Sequence, residues 1–239
     1  MHDLFTRGVT ADGKLRPPRE QTPELYKETP IGWIPKEWKV KTIGNLVGTK
    51  NIVNGPFGSD LLTSELKDDG VPVLYVQDIK PGYFKRLSSA HVTNLKAAQL
   101  SFCNIKEKDV LVTIIGSPPC DSCVYGLIEN AIVTQDVIRI RPVDFVDSEY
   151  ISFYLNSSFG RKTIRKISIE GTRERVSLTD FKMIIIPVAP PQEQKIIGER
   201  LNTIQLLIKK EEVKKEKLIK QKAGLMHDLL TGKVQVSIN

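Results

Sequence analysis

The sequence predicts an α+β fold: a domain built on a mixed sheet, followed by a long C-terminal helix of the coiled-coil-forming kind. Three observations lead there. Short apolar runs rich in β-branched residues, Val71 to Val76, Val110 to Ile115, Val124 to Ile128, Ile132 to Ile140 and Met183 to Val188, read as strands. Short helical signals lie among them without the strict alternation of a doubly wound sheet. From Ile197 a heptad takes over, and seven of its ten seam positions between Ile197 and Leu229 are apolar.

Taken in chain order, residues 1–38 form an extended leading segment, broken by Pro17, Pro18, Pro23, Pro30 and Pro35. Trp33 and Trp38 at its end are expected to anchor it to the body, although such rings also serve as base-stacking platforms. Residues 39–188 make the mixed domain. There Ile138 and Ile140 alternate with Arg139 and Arg141, giving one apolar and one basic face. Helical spacing over 149–164 (Tyr150, Phe153, Tyr154, Ile164) follows Asp147 or Ser148 as cap, and Ser177-Leu178-Thr179-Asp180 is a small capping-box start. Residues 189–231 form the long helix, opened by Ala189-Pro190-Pro191-Gln192-Glu193-Gln194 with proline where no donor is needed. About 38 helical residues span about 57 Å, too long to lie flat on so small a domain. An apolar seam that projects needs a partner helix, so Leu201, Ile204, Ile208, Leu218 and Leu225 are assigned to self-association. Glu211, Lys215 and Lys222 weaken the middle of that seam. Residues 232–239 are a tail.

The two ends repeat each other. Met1-His2-Asp3-Leu4-Phe5-Thr6-Arg7-Gly8-Val9 returns as Met226-His227-Asp228-Leu229-Leu230-Thr231-Gly232-Lys233-Val234, with six of nine positions identical. A repeat spaced by nearly the whole chain reads as one period of a longer duplicated polypeptide, whose single copy should seek a second.

Chemistry motifs are sparse. There is no phosphate loop of the Gly-Lys-Ser/Thr kind and no Gly-x-Gly-x-x-Gly turn. Ser117-Pro118-Pro119-Cys120 lacks the amide and the aromatic ring of an amino-methyltransferase loop. Asp60 with Glu65-Leu66-Lys67 is the one arguable nuclease set, and surface triplets of that kind are common. Cys120 and Cys123 have zinc-like spacing but lack a second ligand pair, since Cys103, His2, His91 and His227 are scattered. No catalytic residue, metal or cofactor is therefore expected. Three cysteines point to a reducing compartment, and no apolar run approaches a membrane span, so a cytoplasmic location without a membrane partner is expected.

The positive signals favour nucleic acid. The net charge is +7, and seven basic residues lie between Arg161 and Lys182. The turn Gly171-Thr172-Arg173-Glu174-Arg175 suits phosphates or guanine edges. The loop Lys50 to Ser59 carries amides that read adenine and glycines that permit close approach. Asn51, Asn54, Ser59, Gln77, Thr172, Arg173 and Arg175 are the candidate DNA contacts. The same charge pattern is also open to a helical adaptor that does not touch DNA.

Several segments together resemble a known family. Gly55-Pro56-Phe57-Gly58-Ser59, Gly70 to Leu74 and Asp109 to Ser117 are similar to the target recognition domain of type I restriction-modification specificity subunits. Pro190-Pro191-Gln192-Glu193-Gln194 and Leu225 to Gly232 resemble the start and end of that family's spacer helix. The resemblance implies a target recognition domain over 39–188 and a spacer helix over 189–231. The family's intact subunit carries two such domains separated by two antiparallel helices. Each domain reads half of a split site in double-stranded DNA. The subunit has no catalysis of its own, binds methyltransferase subunits, and can be joined by the restriction/translocase subunit. One domain and one helix then imply a homodimer reading a palindromic interrupted site, or a half whose other half is supplied elsewhere.

Overall fold

A computed structural model describes residues 1–167 and 174–233. Two units divide the chain, Met1–Leu201 and Asn202–Asn239. The first is built on two small sheets. One is antiparallel throughout, in the order Ser122–Val124, Val110–Thr113, Val137–Ile140, Ile52–Asn54. The other is mixed, in the order His91–Val92, Val71–Leu74, Ala131–Val133, Asn104–Ile105, with Val71–Leu74 parallel to Ala131–Val133. The α+β class with a mixed sheet and a long C-terminal helix is as the sequence predicts.

The run expected as one strand over Ile132 to Ile140 is two strands in different sheets. Thr134, Gln135 and Asp136 are the polar interruption, and Val137 N donates back to Thr134 O at 3.1 Å. The chain thereby changes sheet. The strand periodicity then sorts side chains between two cores. Val110, Val112, Ile138 and Ile140 belong to one, while Leu111 and Val137 belong to the other. The face expected to be basic is therefore inside. Arg139 is buried and donates to Phe102 O at 3.1 Å. Burial, followed by the neighbouring Arg141, pushes its pKa down. Arg141 forks onto buried Asp109, with Nε–Oδ1 2.9 Å and Nη2–Oδ2 2.7 Å.

The helical stretch expected over 149–164 is also divided, into Ser148–Asn156 and Ser158–Arg165. Asp147 caps the first by accepting from Tyr150 N at 2.8 Å. Ser157 breaks the run: extended in backbone, it donates to Tyr154 O at 2.6 Å and accepts from Gly160 N at 3.0 Å, capping the second helix. A side chain at Gly160 would place its Cβ 2.1 Å from Tyr154 O, so the tight corner needs glycine. Ser177 caps the helix Leu178–Lys182 through its bond from Asp180 N, where the sequence places a start.

The leading segment holds a hairpin, Tyr26–Thr29 against Gly32–Pro35. Its two tryptophans part company. Trp38 is fully buried, whereas Trp33 is partly exposed with the Arg19 guanidinium 4.7 Å from its ring centre. The helix His2–Thr6 buries Phe5 edge-on to Tyr150 and Tyr154, at 5.2 and 5.5 Å between ring centres. Lys39–Thr42 pairs antiparallel with Ile185–Val188, bringing the two ends of the sheet domain together just before the long helix. The Tyr150 and Tyr154 hydroxyls donate to Pro187 O and Ile185 O.

The long helix runs Pro191–Leu230, about 60 Å at 1.5 Å per residue. Its first turn is fastened from several directions. Glu193 accepts from Arg16 Nη1 at 2.5 Å, Arg16 Nη2 at 3.0 Å, Trp38 Nε1 at 3.0 Å and Val9 N at 2.8 Å. Gln194 donates to Ala189 O and accepts from Asp147 N. One turn on, a Cβ on Gly198 would stand 2.5 Å from Asp147 Oδ1, so glycine permits that approach. Burial along the helix ends at Leu201. In the second unit no described side chain is buried, and Ile204, Ile208, Leu218 and Leu225 are about half exposed or more. Leu201, placed on the seam by its heptad position, lies instead in the core of the first unit. The terminal repeat keeps one local geometry in both copies: Thr6 Oγ1 donates to His2 O at 3.1 Å and Thr231 Oγ1 to His227 O at 2.7 Å. Their environments differ, since Phe5 is buried and its counterpart Leu230 is 83% exposed. Among the described residues no helix is long and apolar enough to cross a membrane.

Two outcomes follow from this packing. Glu193→Ala leaves the buried Arg16 guanidinium with only Glu37 (2.6 Å) and Arg7 O as partners and strips Trp38 Nε1 and Val9 N of theirs, and is expected to cost about 3 kcal/mol, read as a lower urea midpoint. A loss below about 1 kcal/mol contradicts the role given to Glu193. Glu149 is pushed up to about 7 by burial and then by the Asp147 carboxylate. The folded chain holds that proton more tightly than the unfolded one, so stability falls as pH rises from about 4.5 through about 7. Glu149→Gln should flatten that slope in thermal melts across the window, and an unchanged slope excludes Glu149 as its source.

Candidate nucleic-acid interface

The polar turn that divides the two strands also organises a surface. Gly55 N donates to Thr134 O at 3.2 Å, and a Cβ on Gly55 would lie 2.0 Å from Val133 O. Glycine is therefore what lets the loop after Ile52–Asn54 lie against this turn. Asn54 Nδ2 donates to Gln135 O at 3.4 Å. On the other side Glu174–Arg175 pairs antiparallel with Ile115–Gly116, and Arg175 Nη1 stands 3.5 Å from Asp136 Oδ1. Pro56, Gly58, Leu61, Tyr75 and the turn line a cleft of about 330 Å³. Ser59 and Gln77 are exposed on the single turns Gly58–Asp60 and Val76–Asp78, the second of which buries Asp78.

Asn54 and Arg175 thus meet at one turn, Ser59 follows Gly58 of the cleft, and Gln77 lies two residues beyond Tyr75 with no contact to the turn. Asn51 is not with them. It sits at the far end of the three-residue strand, where its Nδ2 donates to Val47 O at 2.7 Å and its carbonyl accepts from Arg141 N at 2.9 Å. Its amide is used in holding the helix Ile43–Val47. Thr172 and Arg173 lie outside the described residues. The basic stretch also loses a member to the fold: Arg161 donates to Pro119 O and Asn156 Oδ1 and pairs with Asp121 at 2.6 Å. Sequence reading missed Tyr75, Gln135 and Asp136. The last two were detectable as polar residues inside an otherwise apolar run.

Electrostatics give this face an adjustable cation. Arg175 is exposed and its link to Asp136 is long, so the guanidinium can turn to an outside anion at little cost. Elsewhere the reactive groups are enclosed. Cys120 belongs to one core and Cys123 to the other. Burial pushes the thiols of Cys103 and Cys120 up to about 11 and about 12, and that of Cys123 higher still. Glu65 is bound to Lys96 at 2.6 Å and to Leu62 N at 2.8 Å, and the lysine holds its carboxyl below the usual range. No group of three or more His, Cys, Asp or Glu gathers as a metal site among the described residues.

The type I restriction modification DNA specificity domain family matches residues 35–221. The chain belongs to that family. Among relatives of this specificity-domain chain, the type I restriction enzyme MjaVIII specificity subunit of Methanocaldococcus jannaschii is 28% identical over 244 residues. That alignment covers 99% of this chain and 53% of the relative. The EcoKI specificity subunit of Escherichia coli K12 is 23% identical over 186 residues, covering 72% and 37%. The chain spans about half the length of the first of these relatives. Of solved structures, the HsdS subunit from Thermoanaerobacter tengcongensis superposes with a TM-score of 0.52 at 18% identity, over 77% of this chain and 41% of that one. The S subunit from M. genitalium gives 0.51 at 17%, over 82% and 46%. These superpositions show a shared fold.

The position of Asn51 separates fold from surface. Asn51→Ala is expected to lower stability by about 1 kcal/mol through loss of its bond to Val47. An effect on DNA affinity larger than the effect on folding would return Asn51 to the interface.

Proposed function

We propose that this chain is a DNA-reading module of a type I restriction-modification system, taking one half of a split target. The observation that carries the reading is the meeting of Asn54 and Arg175 on the Thr134–Asp136 turn, beside a cleft that Gly58 and Tyr75 also line, within the residues matched by the specificity-domain family. Amides and a guanidinium are the groups that read base edges in the major groove. In this reading residues 39–188 are the target recognition domain, 1–38 the segment that docks onto it, 189–231 the spacer helix and 232–239 a tail. Thr172 and Arg173 extend the same edge. The module does no chemistry itself and acts in the cytoplasm. It delivers methyltransferase subunits, with or without a restriction/translocase subunit, to the site. Two copies joined along Ile204, Ile208, Leu218 and Leu225 read a palindromic interrupted sequence.

The test is equilibrium binding to a library of duplexes at several salt concentrations. Affinity should fall steeply with salt, and one interrupted palindrome should stand out above the rest. Arg175→Ala should weaken binding by about 1–3 kcal/mol, with relaxed selectivity if it meets a base or a salt slope lower by about one if it meets a phosphate. Weak binding with no salt dependence would replace this reading with that of a helical adaptor.

A further inference from the structure

Arginine–aspartate pairs in this fold are mostly closed. Arg141 forks onto Asp109 and Arg161 meets Asp121 at 2.6 Å, in both cases with the guanidinium also bonded to a backbone carbonyl. Arg175 and Asp136 differ. Their 3.5 Å separation is the longest among the arginine–aspartate pairs of the described residues, and their side chains are 47% and 24% exposed. Asp136 Oδ1 is enclosed yet takes no hydrogen bond among the described residues. An enclosed acceptor without a donor is unfavourable, and a ligand that brings a donor relieves it.

The backbones of the two residues, by contrast, are fixed to one point. Ile114 N donates to Asp136 O at 3.0 Å, and Ile114 O accepts from Val176 N at 3.0 Å, beside the pairing of Arg175 with Ile115. Ile114 is itself buried in the core. Thr134 holds the other end of the turn, donating from N and Oγ1 to Leu74 O at 3.0 and 3.1 Å. Fixed backbones beneath unclosed side chains are the arrangement that a reading site needs.

The chemistry of the pair selects what it reads. The guanidinium offers donors, and the carboxylate beside it offers acceptors. Phosphate is the wrong partner for the two together, because it brings a second anion up to Asp136. A base-pair edge fits when it sets two acceptors next to a donor. In the major groove guanine shows N7 and O6, and its paired cytosine shows an N4 hydrogen beside them. Adenine–thymine puts its donor, N6, between the acceptors N7 and O4, so the guanidinium loses one bond and thymine O4 faces a carboxylate.

We propose that Arg175 and Asp136 act as one unit that reads a single guanine–cytosine pair of the target, Arg175 donating to guanine N7 and O6 and Asp136 accepting from cytosine N4. This rests on the DNA-reading function proposed above and adds both a residue, Asp136, and the base pair it selects. Asp136 also turns the neighbouring guanidinium away from phosphate and towards the bases.

The test is selection from duplex libraries with randomised positions, using the full chain and the variants Arg175→Ala and Asp136→Asn, with thermal melts of all three. Wild type should require guanine–cytosine at one position. Both variants should lose roughly tenfold or more of that preference, at that position and no other. A selective wild type whose variants change different positions, change none, or lower only the salt slope overturns the inference and leaves the DNA-reading function standing. A wild type without selectivity overturns both. A second measurement needs no variant and decides the matter where one fails to fold. At the selected pair, 7-deazaguanine removes the N7 acceptor, and N4-methylcytosine puts a methyl group where Asp136 accepts a hydrogen. Each should weaken wild-type binding about tenfold; equal affinity for modified and unmodified duplexes overturns the inference.

Discussion

The arrangement turns on one buried carboxylate. Glu193 sits in the first turn of the long helix and takes four hydrogen bonds from groups far away in sequence: two from Arg16, one from Trp38 and one from Val9. A charge removed from water is tolerable only when its lone pairs are used, and here they are. The consequence is positional. The segment before the sheet domain, the tryptophan that closes that segment and the helix that leaves the domain are all referred to one point. Gln194 adds the start of the helix Ser148–Asn156 through its bond from Asp147 N. The helix therefore leaves its domain at a defined place, and these two adjacent side chains define it.

The sheet domain answers a different demand. The strands Val110–Thr113 and Val137–Ile140 send alternate side chains into two cores, so the antiparallel sheet has no solvated face over these two strands. Polar residues that would normally mark a wet face are therefore consumed internally, as Arg139, Arg141 and Asp109 are. What remains polar and exposed is the rim, where the chain passes from one sheet to the other. That is where the Thr134–Asp136 turn, the glycine loop and Arg175 converge. A surface made of turns can change its side chains without disturbing either core.

Much of this was legible from the residues. Helix starts at Asp147, Ser177 and Pro191 follow from capping chemistry, which is local and needs no tertiary information. The mixed class and the long helix follow from periodicity. What escaped were features decided by contacts between distant segments. The run from Ile132 to Ile140 carries its break in Thr134-Gln135-Asp136, but that the two halves enter different sheets depends on the loop at Gly55 pressing on this turn. Ser157 ends a helix because its hydroxyl competes for Tyr154 O, an option that helical spacing does not weigh. Asn51 was assigned as a DNA contact by its chemistry and Arg161 was counted in the basic stretch, yet each is held by the fold. Leu201 keeps its heptad position while its own domain covers it. Residue type tells what a side chain can bind; only the fold tells whether it is already bound.

The terminal repeat carries a consequence for how such chains are lengthened. The two copies end their helices with the same threonine-to-histidine bond, so a tandem fusion of two coding segments could run through a single copy of the repeat with no linker. The last turn of one spacer would then become the first buried turn of the next domain. The join is not symmetrical, however. A Cβ at Gly8 would lie 2.2 Å from Glu193 Oε1, and the aligned position at the other end is Lys233. A fused chain would have to keep Gly8 of the amino-terminal copy belonging to the second period, so that one residue marks which of the two repeats a duplication can retain.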